Sequence, residues 1–222
     1  MVEDTISRLL LRDELFLLGH NDDTGLPIIN RRALSVGVAG ATLIDLFLAG
    51  GITLVKHGRS DHALDRTVQA TTGRPLGDTL ADSVATDIRR AEPTTLHVWL
   101  KQLGEDMYER ARSSLIAAGV LRRVRIRRLA GLVQIDAHIA TDSKRAIVAR
   151  SCLRYLAAGN DHPNNHSAAL AGLIVALQLT DALHLDSDPE RVSHRLNAIA
   201  RQHFKAIQYI TAGVAEMARM TR

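Results

Sequence analysis

The chain has 222 residues, 46% of them hydrophobic and only 3% aromatic, with a formal net charge of +4. A chain of this length can bury a core without disulfide staples or a structural metal, and the shortage of aromatics implies an aliphatic, alanine-rich interior that suits packed helices better than sheets. The single cysteine, Cys152, excludes an internal disulfide and a cysteine-based zinc site, while the basic balance favours an anionic partner, lipid or nucleic acid.

In chain order, Thr5 to Gly19 predicts an amphipathic helix with Thr5 or Ser7 as its cap and Ile6, Leu9, Leu10, Leu15 and Leu18 inward. Asn21 to Pro27 is a turn cluster. Ala33 to Leu48 carries one charge, Asp45, and is apolar on every side, so it predicts a central buried helix ended by Gly50 and Gly51. It is short for a bilayer span, which needs about 20 residues. Ile52 to Lys56 predicts a strand, His57-Gly58 a turn, and Asp61 to Thr71 the return limb of a hairpin or an irregular arm. Three helices are predicted next: Leu76 to Arg90, Thr94 to Leu103 with Trp99 in the core, and Glu105 to Ala118 ended by Gly119. Alternation from Val124 to Ala140 predicts two strands joined near Ala130-Gly131. Ser143 to Ala158 returns to helix, with Ile147, Leu153 and Leu156 inward, and Gly159 to Asn165 is a loop. Ala168 to Leu185 predicts a second buried helix, followed by helices at Asp188 to Phe204, with Pro189 in its first turn, and at Ala206 to Met220. The expected fold is mainly α: one domain over residues 1–222, a helical bundle around buried central helices with one or two β-hairpins.

Arginine dominates the residues that could carry binding. Only Lys56, Lys101, Lys144 and Lys205 are lysines among 28 basic residues, and arginine is the better group for forked hydrogen bonds to phosphate. The densest run spans Arg122 to Arg128. In a strand, Arg123, Arg125 and Arg127 share one face, which fits lipid headgroups, nucleic acid or an acidic protein; the plain alternative is a strand kept soluble by charge. Asp45, in an apolar helix, needs a structural partner, an arginine or a backbone donor. Asp161, His162 and His166 share a loop, but their spacing fits no metal geometry and reads as loop polarity. The sequence has no phosphate-binding glycine loop, nucleophile elbow or catalytic acid pair, so no enzyme activity and no cofactor are expected. MVEDTISRLL lacks the features of a signal peptide, and the expectation is a cytoplasmic protein, at most peripheral on a cytosolic membrane face.

Several segments carry a family resemblance in order: LLLRDELFLLGHNDDTG from Leu9, GVAGATLIDLFLAGGITL from Gly37, LGDTLADSVATDI from Leu76, TTLHVWLKQL from Thr94 and SLIAAGVL from Ser114. Together they resemble the Golgi phosphoprotein 3 family over nearly the whole chain. The resemblance implies a mostly helical peripheral protein that binds phosphatidylinositol 4-phosphate on cytosolic membrane faces. It also places the family's headgroup positions, a Trp and three Arg, at Asn30, Ala39, Glu105 and Tyr108. None of the four keeps the family's residue, and neighbouring Arg31, Arg32, Arg110 and Arg112 become the candidate headgroup-binding residues.

Two functional readings follow. The first is a non-enzymatic adaptor on anionic membrane lipids, with the Arg123, Arg125 and Arg127 hairpin facing the anion or pairing with a second copy of the chain. The second is a winged-helix-like DNA-binding regulator, built from helix LHVWLKQL, helix ERARSSLIAAG and the Arg122–Arg128 hairpin. Acidic Glu105, Asp106 and Glu109 near the start of its would-be recognition helix weigh against the second.

Overall fold

The computed structural model describes residues 9–56, 61–128, 133–160, 162–183, 188–202 and 204–221, with backbone alone at 126–128 and 133–135. Eight α-helices lie among the described residues: α1 (Leu11–Leu18), α2 (Arg31–Leu48), α3 (Thr79–Arg90), α4 (Leu96–Ala117), α5 (Lys144–Ala158), α6 (Asn165–Ala176), α7 (Pro189–Arg201) and α8 (Lys205–Met220). Strands β1 (Ile52–Val55), β2 (Thr67–Ala70) and β3 (Thr94–Thr95) form a small antiparallel sheet in that order, and β4 (Leu121–Arg128) pairs with β5 (Val133–Ala140) in a hairpin. The predicted cap at Thr5 or Ser7, the His57-Gly58 and Ala130-Gly131 turns, Asp161 and Leu185 lie outside the described residues.

The fold is mainly α, as the composition and periodicity imply. Helix α2 runs through the centre and packs against α1, α4, α6 and α8. Val38 and Ile44 of α2 and Leu173 of α6 are fully buried, and Leu177 is 1% exposed. Two glycines of α2 permit this closeness: a Cβ at Gly37 would meet Leu177 Cδ1, and one at Gly40 would overlap Val214 Cγ2 of α8.

Three expectations are corrected. The segments Thr94 to Leu103 and Glu105 to Ala118 are one continuous helix, α4. Gly104 breaks nothing, because it is where α4 approaches α2; a Cβ there would stand 2.9 Å from Val36 Cγ2. The helix–turn–helix order that motivated the winged-helix reading therefore does not exist in the fold. The second buried helix stops at Ala176, and the chain turns at Gln178, which takes a left-handed φ of 56°. Ile147 is 49% exposed; Ala146, Ala149, Leu153 and Leu156 form the inner face of α5 instead.

Asp45 finds the backbone donors that its burial requires. Its carboxylate accepts hydrogen bonds from Leu11 N at 3.1 Å and Arg12 N at 3.2 Å. These are the first amides of α1, whose own N-cap, Leu10, supplies no side-chain cap, so α2 caps α1 across the core. Burial pushes the Asp45 carboxyl up to about 6, outweighing the two amides. Because this exceeds the ordinary Asp value of about 4, the folded protein binds more protons than the unfolded chain between the two values. The Asp45 contribution is thus fully present below pH ~4 and is lost as pH rises through ~6. Chemical denaturation of wild type against Asp45→Asn should show a difference that changes by roughly 2 kcal/mol across this window. A pH-independent difference would refute the assignment.

A second buried polar device joins α1 to α3. Arg12 is 1% exposed, yet its guanidinium donates to Asp13 at 2.8 Å and to both carboxylate oxygens of Asp78, at 2.8 and 3.0 Å. Asp78 also caps α3 by accepting from Ala81 N at 2.8 Å. Burial pushes both carboxyls up. It prevails at Asp13, while at the more exposed Asp78 the Arg12 hydrogen bond and the Ala81 amide outweigh it and hold the carboxyl low.

Candidate anion-binding face

Helix α2 starts two residues earlier than its apolar run suggests, because Asn30 caps it by accepting from Arg32 N at 2.8 Å and Ala33 N at 3.4 Å. Arg31 and Arg32 therefore occupy its first turn, where the positive end of the helix dipole disfavours cations and favours an anion. Across from them lie Glu105, Tyr108 and Glu109 of α4, and the end of α8 closes the side at Thr221. Together these line a cavity of about 540 Å³.

Three of the four positions marked by the family resemblance, Asn30, Glu105 and Tyr108, meet in this cavity. Ala39 is fully buried within α2 and does not line it. Of the four candidate arginines, Arg31 and Arg32 line the cavity directly. The Arg31 guanidinium lies 4.4 Å over the Tyr108 ring and is ion-paired with Glu109. Arg112 pairs with the same carboxylate from one turn further along α4. Arg110 faces the other way: it donates to Ser83 Oγ of α3 at 2.8 Å, on a different flank of α4.

Tyr108 is fixed at both ends. Its amide donates to Ser35 Oγ at 3.0 Å, and its hydroxyl lies 2.8 Å from His20 Nε2. His20 Nδ1 lies 2.6 Å from the Phe16 carbonyl oxygen, which requires a proton on Nδ1. Nε2 then accepts from the Tyr108 hydroxyl. Burial drives the His20 pKa down to about 4, and Arg112 and Arg31 add to that effect, while the Phe16 carbonyl opposes it. The imidazole is accordingly neutral at physiological pH. The roles of His20 and Glu109 are not legible in the sequence, since Tyr108 and Arg31, which they meet here, lie far from them along the chain.

A second cavity, of about 170 Å³, joins this site to the hairpin. Arg31 and Tyr108 line it from one side, Asp136 and His138 of β5 from the other, and Arg112 sits between. On the hairpin itself, Arg123 and Arg125 are 63% and 76% exposed at their side chains and share a single acid, Asp136, on the same face. The register sets Arg125 opposite Asp136 and Arg123 opposite His138. Backbone register places Arg127 opposite Gln134; its side chain lies outside the described residues. Val124 is half-buried and its partner Ala137 is buried, on the face opposite to Arg123 and Arg125.

A larger hollow of about 810 Å³ lies among α6, α7, α8 and residues 61–63. It mixes Arg201 and Arg219 with Asp61 and Glu216 over a floor of Ala and Gly, so it offers no excess of one charge. Among the described residues no His, Cys, Asp or Glu group is placed to hold a metal, and no helix is long and apolar enough to cross a membrane. In the loop noted for its histidines, Asn164 caps α6 by accepting from Ser167 N at 2.9 Å, and His166 Nε2 lies 2.8 Å from Glu14 of α1.

The chain is similar to the vacuolar protein sorting-associated protein 74 of Eremothecium gossypii, with 28% identity over 129 residues. That match spans 51% of this chain and 39% of the relative's length. The family profile described as Golgi phosphoprotein 3 (GPP34) matches residues 11–220. With that match running from the first turn of α1 to the last residue of α8, the chain belongs to the Golgi phosphoprotein 3 family.

Proposed function

We propose that this protein is a non-enzymatic peripheral adaptor that docks on anionic bilayers by salt-sensitive attraction, without strong preference for phosphatidylinositol 4-phosphate. The observation that carries the reading is the arginine-rich hairpin face, with one acid for two exposed arginines, continuous through Arg112 with the Arg31 and Arg32 cavity. Family membership and the sorting role in the relative's name favour a membrane over DNA. Asn30 stands where the resemblance implies a Trp, and Glu105 and Tyr108 supply none of the cations that it implies for tight headgroup selection. Exposed arginines are attracted to an anionic leaflet by about 1 kcal/mol each, an effect that fades beyond a Debye length of about 8 Å at physiological ionic strength. The β4–β5 ladder has no third strand among the described residues, so a second copy of the chain, or an acidic protein, remains part of the proposed set of hairpin partners.

The test is liposome sedimentation of wild type and the Arg123→Ser, Arg125→Ser, Arg127→Ser variant, with circular dichroism to confirm folding. Wild type should bind anionic vesicles and release them as salt rises; the variant should bind several-fold less while keeping its stability within about 0.5 kcal/mol. Tight binding that selects phosphatidylinositol 4-phosphate and resists high salt would overturn the proposal. A mobility shift on DNA that the variant abolishes, in the absence of vesicle binding, would restore the regulator reading.

A further inference from the structure

Helix α5 is apolar on two sides. Its inner side, Ala146, Ala149, Leu153 and Leu156, is buried against α1, α6 and α7. At 3.6 residues per turn, Ile147, Val148, Ser151, Cys152 and Tyr155 fall on the opposite side, within an arc of roughly 140°. Ile147, Val148 and Tyr155 are 49%, 59% and 60% exposed there. A surface helix ordinarily turns polar residues that way, and three large apolar side chains on one strip make a patch rather than a scatter. The charges of α5 are one-sided as well: it carries Lys144, Arg145, Arg150 and Arg154 and no acid. The same helical spacing sets Arg145 along one edge of the strip and Arg150 and Arg154 along the other. Two acids beside the helix are engaged: Asp142 accepts from Lys144 N at 2.9 Å, and Asp22 from Arg150 Nη1 at 2.9 Å. Helix α5 also adjoins the hairpin, since Ala146 lines one small hollow together with His138, Ile139 and Ala140 of β5.

We propose that the outer side of α5 is an interfacial membrane helix: Ile147, Val148 and Tyr155 enter the headgroup boundary of an anionic leaflet while Arg145 and Arg154 reach lipid phosphates from the edges. This inference rests on the membrane reading and adds to it an apolar contact, outside both the α2–α4 cavity and the hairpin. A helix with aliphatic residues on one side and arginines at its borders is seated at the interface by apolar burial and by attraction to anionic lipid together. An arginine stem lies along the apolar strip while its guanidinium stays with the phosphates. Tyrosine favours this depth because its ring is apolar and its hydroxyl polar. A second copy of the chain is a poorer occupant, since a twofold contact through the strip would set the four cations of one helix against the same four of the other.

The experiment uses the full chain with Cys152→Ser, which removes the single thiol, and an environment-sensitive nitrobenzoxadiazole label on Val148→Cys. The same label on Asp87→Cys, at an exposed position of α3, is the control. With vesicles of phosphatidylserine in phosphatidylcholine, the label at position 148 should shift to the blue and be quenched by lipids brominated high on the acyl chain; the control should do neither. Replacing the strip by Ile147→Ser, Val148→Ser and Tyr155→Ser should lower sedimentation with these vesicles severalfold. Circular dichroism and the thermal midpoint should stay unchanged, because the three side chains are exposed. Sedimentation with an unshifted label at position 148 refutes the α5 contact and leaves the membrane reading standing on the hairpin. A shift that needs no vesicles and grows with protein concentration gives the strip to a second copy. A shift with polyglutamate but not with vesicles gives it to an acidic protein. Either result overturns the inference. If wild type sediments with no vesicle at all, the membrane reading itself fails and the α5 contact fails with it.

Discussion

Replacing Arg12 with Met should cost about 3–5 kcal/mol of stability, the penalty for removing one partner of a buried ion network. The side chain is 1% exposed, and its loss strands Asp13 and Asp78 beside an apolar core. Asp78 would keep its hydrogen bond from Ala81 N and, being partly exposed, could hydrate. Asp13 has no comparable escape, so most of the penalty arises there. Adding Asp13→Asn to Arg12→Met should therefore recover part of the loss, whereas adding Asp78→Asn should recover less and also weaken the start of α3. Urea denaturation of the four proteins checks this. A loss below about 1 kcal/mol for Arg12→Met would mean that the network is neutral and α1 is held by its leucines alone.

Gly40→Leu should lower stability by roughly 3 kcal/mol, the upper end of the range for overpacking a filled core. Helix propensity works the other way, since leaving glycine gains nearly 1 kcal/mol. Packing wins because a Cβ at Gly40 would already overlap Val214 Cγ2, and a valine inside a helix has one strongly preferred rotamer and cannot swing aside. The whole of α8 would have to move off α2. Gly104→Ala is the milder comparison, with 2.9 Å to Val36 Cγ2, and should cost no more than about 1 kcal/mol. Thermal melts of both variants decide the matter; a Gly40→Leu protein as stable as wild type would show that the α2–α8 seam has slack.

The features legible in the sequence were those that depend on neighbours along the chain. Apolar saturation marked α2 and the start of α6 as buried, alternation marked the β4–β5 strands, and the ordered motifs from Leu9 to Leu121 carried the family. Features that depend on contact across the fold were not legible. Gly104 read as a helix end because nothing local reveals Val36 beside it. Arg12 and Asp13 look like surface charges until Asp78, 66 residues away, is brought against them. Ile147 reads as inward on hydrophobicity, although Ala146 and Ala149, with Leu153 and Leu156, form the inner face of α5. In the candidate site, Arg31, Arg32 and Arg112 were reached by counting from family positions, and Arg110 by the same count landed on the flank facing α3. His20 is not legible because its partner, Tyr108, lies 88 residues away, and Glu109 reads only as acidity that argues against DNA.

Asp45 capping α1 also fixes an order of assembly. Helix α1 has eight residues and no cap of its own, too short to hold together alone in water, where isolated helices are marginal below about 12–15 residues. The carboxylate that closes its first turn lies 34 residues downstream. During synthesis the segment destined to become α1 emerges before residue 45, so its first turn is closed only once α2 has formed. The amide protons of Leu11 and Arg12 are therefore a clock for that docking. In pulse-labelling during refolding they should become protected together with the α1–α2 contact and no earlier, and in the native protein they should open as one unit.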